Sequence, residues 1–207
     1  MQIEGRVGVQ TLQDGAQQPP RLGHAGEIVV DDAHGRFYEA VYRGNVYTAS
    51  TAVAGVAPGT ALATTAQCIM LYNPTGNAKN FVLLRSALGY VSGTLGAGSM
   101  VYGTSAQIVA TTGTAVTPKN CLLGNAATPT ATVTAAAGCT SAPTIVRPAF
   151  TLGAFLATTA AVNPPLIDEI AGEFVLIPGN VFVMSGIAAA GTSPLVLASL
   201  TWEEVPV

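Results

Sequence analysis

The sequence predicts an all-β protein, an antiparallel β-sandwich or jelly roll with an extended N-terminal arm and one short helix near residues 35–43. Three observations favour this fold class. Val, Thr and Gly are abundant, whereas helix-forming residues other than Ala are scarce. The apolar segments are short, and 23 Gly and 13 Pro separate them. From residue 27 onwards about eight such segments follow one another, which is typical of a sandwich.

Residues 1–26 are predicted to form the arm. This segment is polar, contains the Pro-interrupted stretch QDGAQQPP at 13–20, and has no hydrophobic period. It therefore cannot build a core of its own. Two interpretations remain open, a disordered tail and an extended arm that docks on a neighbouring subunit. Residues 27–207 are predicted to form a single sandwich domain, since they are numerous enough for one well-filled core.

A short strand over 27–30 is followed by the predicted helix, which Asp31 and Asp32 can cap and Arg43-Gly44 can end. This segment contains the densest group of charged and aromatic side chains in the sequence. We predict that they form an interaction patch for a partner, composed of Arg36, Phe37, Tyr38, Glu39, Tyr42 and Arg43. The alternative is a helix or strand that packs on the sheet edge and keeps its charges in solvent.

The next strands are predicted at residues 45–50, 67–72 and 80–85. The last two flank the turn sequence NPTGN at 73–77, so they predict a hairpin. Both strands are almost continuously apolar, which predicts burial of both faces. Shorter strands are expected at 99–102 and 107–110.

Residues 111–143 give the weakest signal. This Ala/Thr-rich, low-complexity segment is predicted as a loop insertion, with an exposed hairpin as the alternative. Strands are expected again at 149–156 and 166–170. The C-terminal block is the most regular, with strands at 172–177, 181–187 and 195–204 and a strong turn at 178–180.

Charge is scarce in this sequence. Only 9% of the residues are charged, against about 25% in an ordinary soluble domain. The net charge is −3, and Lys79 and Lys119 are the only lysines, so nucleic-acid binding is not expected. The mean hydropathy is +0.46, but Gly, Pro and Thr interrupt every charge-free window, so no membrane segment is expected. The first residues show no basic region followed by an apolar core, so no secretory signal is expected.

The sequence offers no catalytic, cofactor-binding or metal-binding constellation, and a non-enzymatic protein is expected. Adjacent carboxylates on a strand point to opposite faces, and the two histidines lack partners at ligand spacing. These groups are Asp31/Asp32, Asp168/Glu169, Glu203/Glu204, His24 and His34. The three cysteines, Cys68, Cys121 and Cys139, are expected to be buried small side chains; a Cys121–Cys139 disulfide is the alternative.

Two motifs carry a resemblance to a known class of proteins. The first is NPTGNAKN at 73–80 between two apolar strands, and the second is GEFVLIPGN at 172–180, followed by LTWEEVP at 200–206. Together they resemble the jelly-roll structural proteins of tailed bacteriophages, particularly capsid decoration (cement) and appendage proteins. The resemblance loosely covers residues 60–207. It implies a symmetric oligomer on a virion, often a trimer, and it assigns no functional residues, because such proteins work through their surfaces.

The neutral surface expected of this composition is most easily kept soluble when other subunits cover it. Together with this composition, the resemblance implies a virion structural protein, a decoration or cement protein assembled in the host cytoplasm, whose partners are its own copies, as a homotrimer, and the major capsid protein. No cofactor, nucleic acid or membrane partner is expected. The alternative is a phage tail or fibre module that recognises a host glycan or protein. Its candidate contact residues are Tyr38, Tyr42, Tyr47, Tyr90 and Tyr102.

Overall fold

The computed structural model describes residues 35–106, 112–153, 165–189 and 191–207. The chain divides into two compact units, Met1–Glu39 and Ala40–Val207. Residues 35–39 are the described part of the first unit, so the fold below is that of the second. The predicted arm at 1–26 and the predicted strands at 27–30 and 107–110 lie outside the described residues.

A short helix, α1 (Tyr38–Tyr42), precedes twelve strands in the described part of the chain. The strands are β1 (Val46–Ser50), β2 (Gln67–Tyr72), β3 (Lys79–Ser92), β4 (Gly98–Ala106), β5 (Thr112–Val116), β6 (Lys119–Asn120), β7 (Thr132–Gly138), β8 (Thr144–Leu152), β9 (Leu166–Asp168), β10 (Val175–Leu176), β11 (Asn180–Ile187) and β12 (Leu195–Pro206).

The strands form two antiparallel sheets of six strands each. The first sheet has the order β10-β3-β12-β1-β6, and β9 also pairs with β3. The second has the order β5-β7-β2-β11-β4-β8. One core cluster contains buried residues from both sheets, so the two sheets pack face to face. The predicted fold class, all-β with two antiparallel sheets and one short helix, is confirmed.

The strand pairing is nested in the manner of a jelly roll. β1 pairs with β12, β2 with β11, β3 with β9 and β10, and β4 with β8. The first strand of the domain thus lies beside the last, the second beside the second-to-last, and so on inwards. Because successive strands β1 to β4 alternate between the sheets, this folded ribbon wraps around one core.

The Ala/Thr-rich segment predicted as a loop or an exposed hairpin contains β5, β6 and β7. β5 and β7 pair antiparallel, as in the hairpin alternative, and extend the second sheet beyond β2. Between them, β6 crosses to the first sheet and pairs with β1. Thr and Val favour extended backbone, and Val133 of β7 reaches the core. The segment therefore widens both sheets of the sandwich.

The hairpin predicted around residues 73–77 is wrong. β2 and β3 belong to different sheets, so this turn is an arch between the sheets. It lies beside the second predicted turn, since the backbone N–H of Asn73 donates to Asn180 O at 3.0 Å and that of Gly179 donates to Asn73 O at 2.8 Å. The side chain of Asn73 is buried and donates to Lys79 O and Leu176 O, which fixes the arch. The two motifs that carry the family resemblance are therefore neighbours.

The core depends on regular alternation in β12. Every second side chain from Val196 to Glu204 is buried, and the intervening ones are half-buried on the outer face. Trp202 has no exposed surface, and its ring centre lies 6.1 Å from that of Tyr47 and 6.5 Å from that of Phe81. Side chains of this size dominate the apolar area that a core removes from water.

β2 is buried on both faces, as its continuous apolar sequence predicts. The same prediction for residues 80–85 is wrong, because Val82 is half-buried and Arg85 is exposed. Ile69 and Leu71 point into the core between the sheets. The alternate side chains form a second buried cluster on the outer face of the second sheet, composed of Met70, Tyr72, Ala137, Cys139, Val181 and Val183.

Glu204 is a buried carboxylate with a full set of partners. It is 1% exposed. Its Oε1 accepts from the backbone N–H groups of Thr130 at 2.8 Å and Ala131 at 3.2 Å, and its Oε2 accepts from the Thr130 hydroxyl and from Lys79 Nζ. This one side chain therefore ties the segment before β7 to the last strand.

We expect Glu204→Ala to lower the free energy of unfolding by about 3 kcal/mol, because buried N–H groups lose their acceptor. The matched control is Glu203→Ala, whose side chain lies on the outer face of the same strand; its effect should be about 0.5 kcal/mol or less. Urea unfolding of the three proteins measures the difference. Equal losses in the two variants would contradict the assigned role of Glu204.

The three cysteines are free, so the alternative Cys121–Cys139 disulfide is not formed. Cys68 and Cys139 are buried, and Cys121 is half-buried. Burial raises the pKa of the Cys68 thiol to about 12, and it also raises the pKa values of Cys121 and Cys139.

We expect Cys68 to resist thiol reagents at pH 8 in the folded protein, since the thiolate is the reactive form and a raised pKa leaves almost none at that pH. Cys121 should react first, and denaturant should release all three thiols. Labelling at increasing pH followed by mass spectrometry measures this order. A fast phase that persists in Cys121→Ser would show the assignment to be wrong.

Candidate interaction surface

Five of the six residues of the predicted interaction patch are exposed, and Phe37 is half-buried. Residues 36–39 belong to the first unit, and Tyr42 and Arg43 belong to the second. Tyr38 is 43% exposed and Tyr42 58%, and α1 has no buried residue. The guanidinium of Arg36 lies 5.3 Å from the ring centre of Phe37, a cation–π contact.

The candidate tyrosines separate into two groups. Tyr47 and Tyr102 are buried in the core, and Tyr90 is partly buried against it. These three cannot present a ring to a ligand at a loop tip. Tyr38 and Tyr42 are the candidates that reach solvent.

A second surface lies along the side of the sandwich formed by β8, β9 and β10. β8 is the edge strand of the second sheet, while β9 and β10 form an edge of the first. Ten large apolar or aromatic side chains are exposed in the described part of the chain, and five of these lie in or directly beside the three strands. We call this surface the β8–β10 rim; it consists of Ile145, Val146, Ile167, Val175 and Ile177.

A small cleft opens between the two sheets at this rim. Its volume is about 190 Å³. Val146 and Val175 lie at the cleft, and Phe182 of the core lines it as well. An apolar side chain from a partner could therefore contact both the rim and the core in this cleft.

Arg147 holds the two sheets together at the rim. Its guanidinium lies 2.7 Å from Asp168 Oδ2 and 3.3 Å from Glu173 Oε2. The same group lies over the rings of Tyr102 and Phe174, at 5.3 and 5.4 Å from their centres. Arg147 belongs to β8 and Asp168 to β9, so the ion pair joins one sheet to the other.

Tyr102 extends this network into the core. Its hydroxyl donates to Asp168 Oδ2 at 2.8 Å and lies within hydrogen-bond distance of the Ser86 hydroxyl. Burial first, and then the hydrogen bond and charge of Asp168, raise the pKa of Tyr102 above its ordinary value. The phenol therefore stays protonated and remains a donor, and the network acts as a fixed brace between the sheets.

The sequence contains a signal for this network that the motifs described above do not include. Arg147 is the only charged residue between Lys119 and Asp168, and Asp168 is the next charged residue along the chain. A lone charge in an apolar region is costly to bury unless it is paired. The pairing itself depends on which strands become neighbours, which the sequence pattern does not specify.

Among the described residues, no group of three or more His, Cys, Asp or Glu side chains is placed to hold a metal ion. Within the same residues, no helix is long and apolar enough to cross a membrane. Comparison of the chain with protein-family models, with curated proteins and with solved structures gives no match.

We expect Arg147→Met to lower the free energy of unfolding by about 2 kcal/mol, because Asp168 loses a charged partner in a partly buried site. Arg85→Met is the matched control, since the Arg85–Glu169 pair is about half exposed on both sides. That control should cost about 0.5 kcal/mol or less. Chemical unfolding at low and high salt measures both, and a larger loss in the control would contradict the brace.

Proposed function

We propose that this protein is a non-enzymatic structural subunit of a virus particle, a capsid decoration or cement protein that stabilises the shell through symmetric contacts. Its partners in this proposal are its own copies, as a homotrimer, and the major capsid protein, and its location is the virion assembled in the host cytoplasm. The jelly-roll fold and the low charge of the sequence support the proposal. They agree with the resemblance that the turn motifs carry.

The observation that carries the proposal is the β8–β10 rim. Its side chains are 43–56% exposed, and they are concentrated on one side of a domain whose other apolar residues are mostly buried. Exposed apolar clusters of this kind mark protein–protein interfaces. In a trimer, the rim of one copy would contact a different surface of the next, because a threefold contact is heterologous.

If the rim is the contact between copies, charged residues introduced into it should disrupt that contact. Val146→Asp combined with Val175→Asp should abolish the threefold contact between copies, because two carboxylates would be buried without partners in the contact. The control is Leu123→Asp, a side chain that is 87% exposed outside the rim. Size-exclusion chromatography with light scattering measures the assembly. If the wild-type protein is a monomer, the proposal of a homotrimer is wrong.

The virion assignment has a separate test. Quantitative mass spectrometry of purified particles of the virus that encodes the chain should find this protein in fixed proportion to the major capsid protein. Particles assembled with the rim variant should lose it while keeping their other components. Purified particles that lack the wild-type protein would overturn the assignment.

A second candidate function is a tail or fibre module that binds a host glycan or protein. The exposed rings of Tyr38 and Tyr42 favour it, because aromatic faces commonly contact ligands at protein surfaces. Binding to a glycan array that is lost in Tyr42→Ala, in a protein absent from capsid shells, would favour this candidate over the first.

A further inference from the structure

In the described part of the chain the jelly roll has four sheet edges, formed by β6 and by β9 with β10 in the first sheet, and by β5 and β8 in the second. An edge strand presents a row of unpaired backbone N–H and C=O groups that can pair with another chain. Proteins protect such edges with short strands, charged residues, proline or bulges.

Three of these edges carry such protection. β6 has two residues, β9 three and β10 two. β8 is longer, but it contains Arg147 and Pro148, and two register shifts interrupt its pairing with β4. None of the three offers a long, regular row of hydrogen-bonding groups.

β5 is different. It has five residues, Thr-Gly-Thr-Ala-Val, with neither charge nor proline. Residues 112–115 are exposed and Val116 is half-buried. In the described part of the chain β5 pairs only with β7, and after a register shift between Thr112 and Thr114 the pairing is regular to Val116. Alternate N–H and C=O groups of such a strand point away from its one partner.

The surface beside β5 is also uncharged. A cleft of about 560 Å³ lies between β5, β7 and the segment that follows β1. Its eleven lining residues include Thr51, Thr114 and Ala136, and none of the eleven is charged. The segment that follows β1 also presents Val53, the most exposed large apolar side chain in the described part of the chain, at 91%.

We propose that β5 pairs antiparallel with β5 of a second copy across a twofold axis, so that the two second sheets become one continuous sheet. A strand is the partner that completes an open row of backbone donors and acceptors. In a twofold contact the same surface lies on both sides. The same contact at β6 or β8 would place Lys119 or Arg147 near its own copy, whereas β5 brings no like charges together.

The register centred on Thr114 fits the side chains. It places Thr114 opposite Thr114, and paired threonines are favourable across strands. The regular part of β5 runs from Thr114 to Val116, because a register shift precedes Thr114 and Gly113 has a φ of 129°. The paired residues alone bury less than the roughly 1,000 Å² that a specific interface needs. The uncharged surface around Val53 and the cleft supplies the additional area.

This contact does not rest on the virion proposal, because it requires only a second copy. β5 and β8 lie at opposite ends of the second sheet, so the twofold contact is separate from the rim. If both contacts form, the assembly contains an even number of copies, for example two trimers joined across β5.

The first test introduces a charged residue at Thr114, which lies on the twofold axis of the proposed contact. Thr114→Lys and Thr114→Glu should each raise the dissociation constant of the twofold contact at least about tenfold, because like charges meet. An equimolar mixture of the two should restore the contact. The control is Leu123→Lys, whose side chain is 87% exposed and lies outside both β5 and the β8–β10 rim, and it should leave the mass unchanged. Light scattering and circular dichroism report assembly and folding.

A second experiment introduces a cysteine at position 114, so it does not require the protein to fold with a charged residue there. In a Cys121→Ser background, Thr114→Cys should form an intermolecular disulfide on mild oxidation, and Leu123→Cys, outside both β5 and the rim, should not. A monomeric wild type, or equal cross-linking of the two cysteine variants, overturns the proposal. The virion proposal fails by a different result, namely the absence of the protein from purified particles.

Discussion

The structure depends on the pairing of β12 with β3 and β1. β12 follows β3 along nearly its whole length and brings the last residues of the chain into the centre of the first sheet. Its alternate side chains, with Trp202 the largest, provide one wall of the core. These contacts join residues far apart in sequence and place β12 between the two strands that begin the nested order in this sheet.

Low charge makes each buried ionic group important. Arg147 and Glu204 both hold separate segments together, the first across the two sheets and the second between the last strand and the segment before β7. Glu204 accepts four hydrogen bonds, and the half-buried Arg147 is paired with two carboxylates, although its Nε makes no hydrogen bond. Several partners are the condition under which a buried charge is tolerated. Two of the few charged residues in this sequence thus stabilise contacts between separate segments of the sandwich.

The sequence predicts the fold class because short apolar segments and turn residues are local signals. The continuous apolar run of β2 corresponds to its observed burial. Turn residues such as those at 73–77 specify a reversal and not the sheet to which the next strand belongs, so the predicted hairpin is wrong. The brace of Arg147 with Asp168 is not predictable for the same reason, since it depends on β8 and β9 becoming neighbours across the two sheets. The Ala/Thr segment was ambiguous because small side chains carry little periodic signal.

The Ala/Thr-rich segment determines which strands form the sheet edges on this side of the sandwich. Without β5, β6 and β7, the edges of the two sheets on this side would be β1 and β2, whose side chains are largely buried. The insertion covers both strands and moves the edge of the second sheet outward to a strand of small, uncharged residues. The same insertion therefore covers β2 and leaves β5 exposed as the new edge strand. A jelly roll that widens itself in this way must leave a new edge, and here the residues that form it carry no charge to repel another copy.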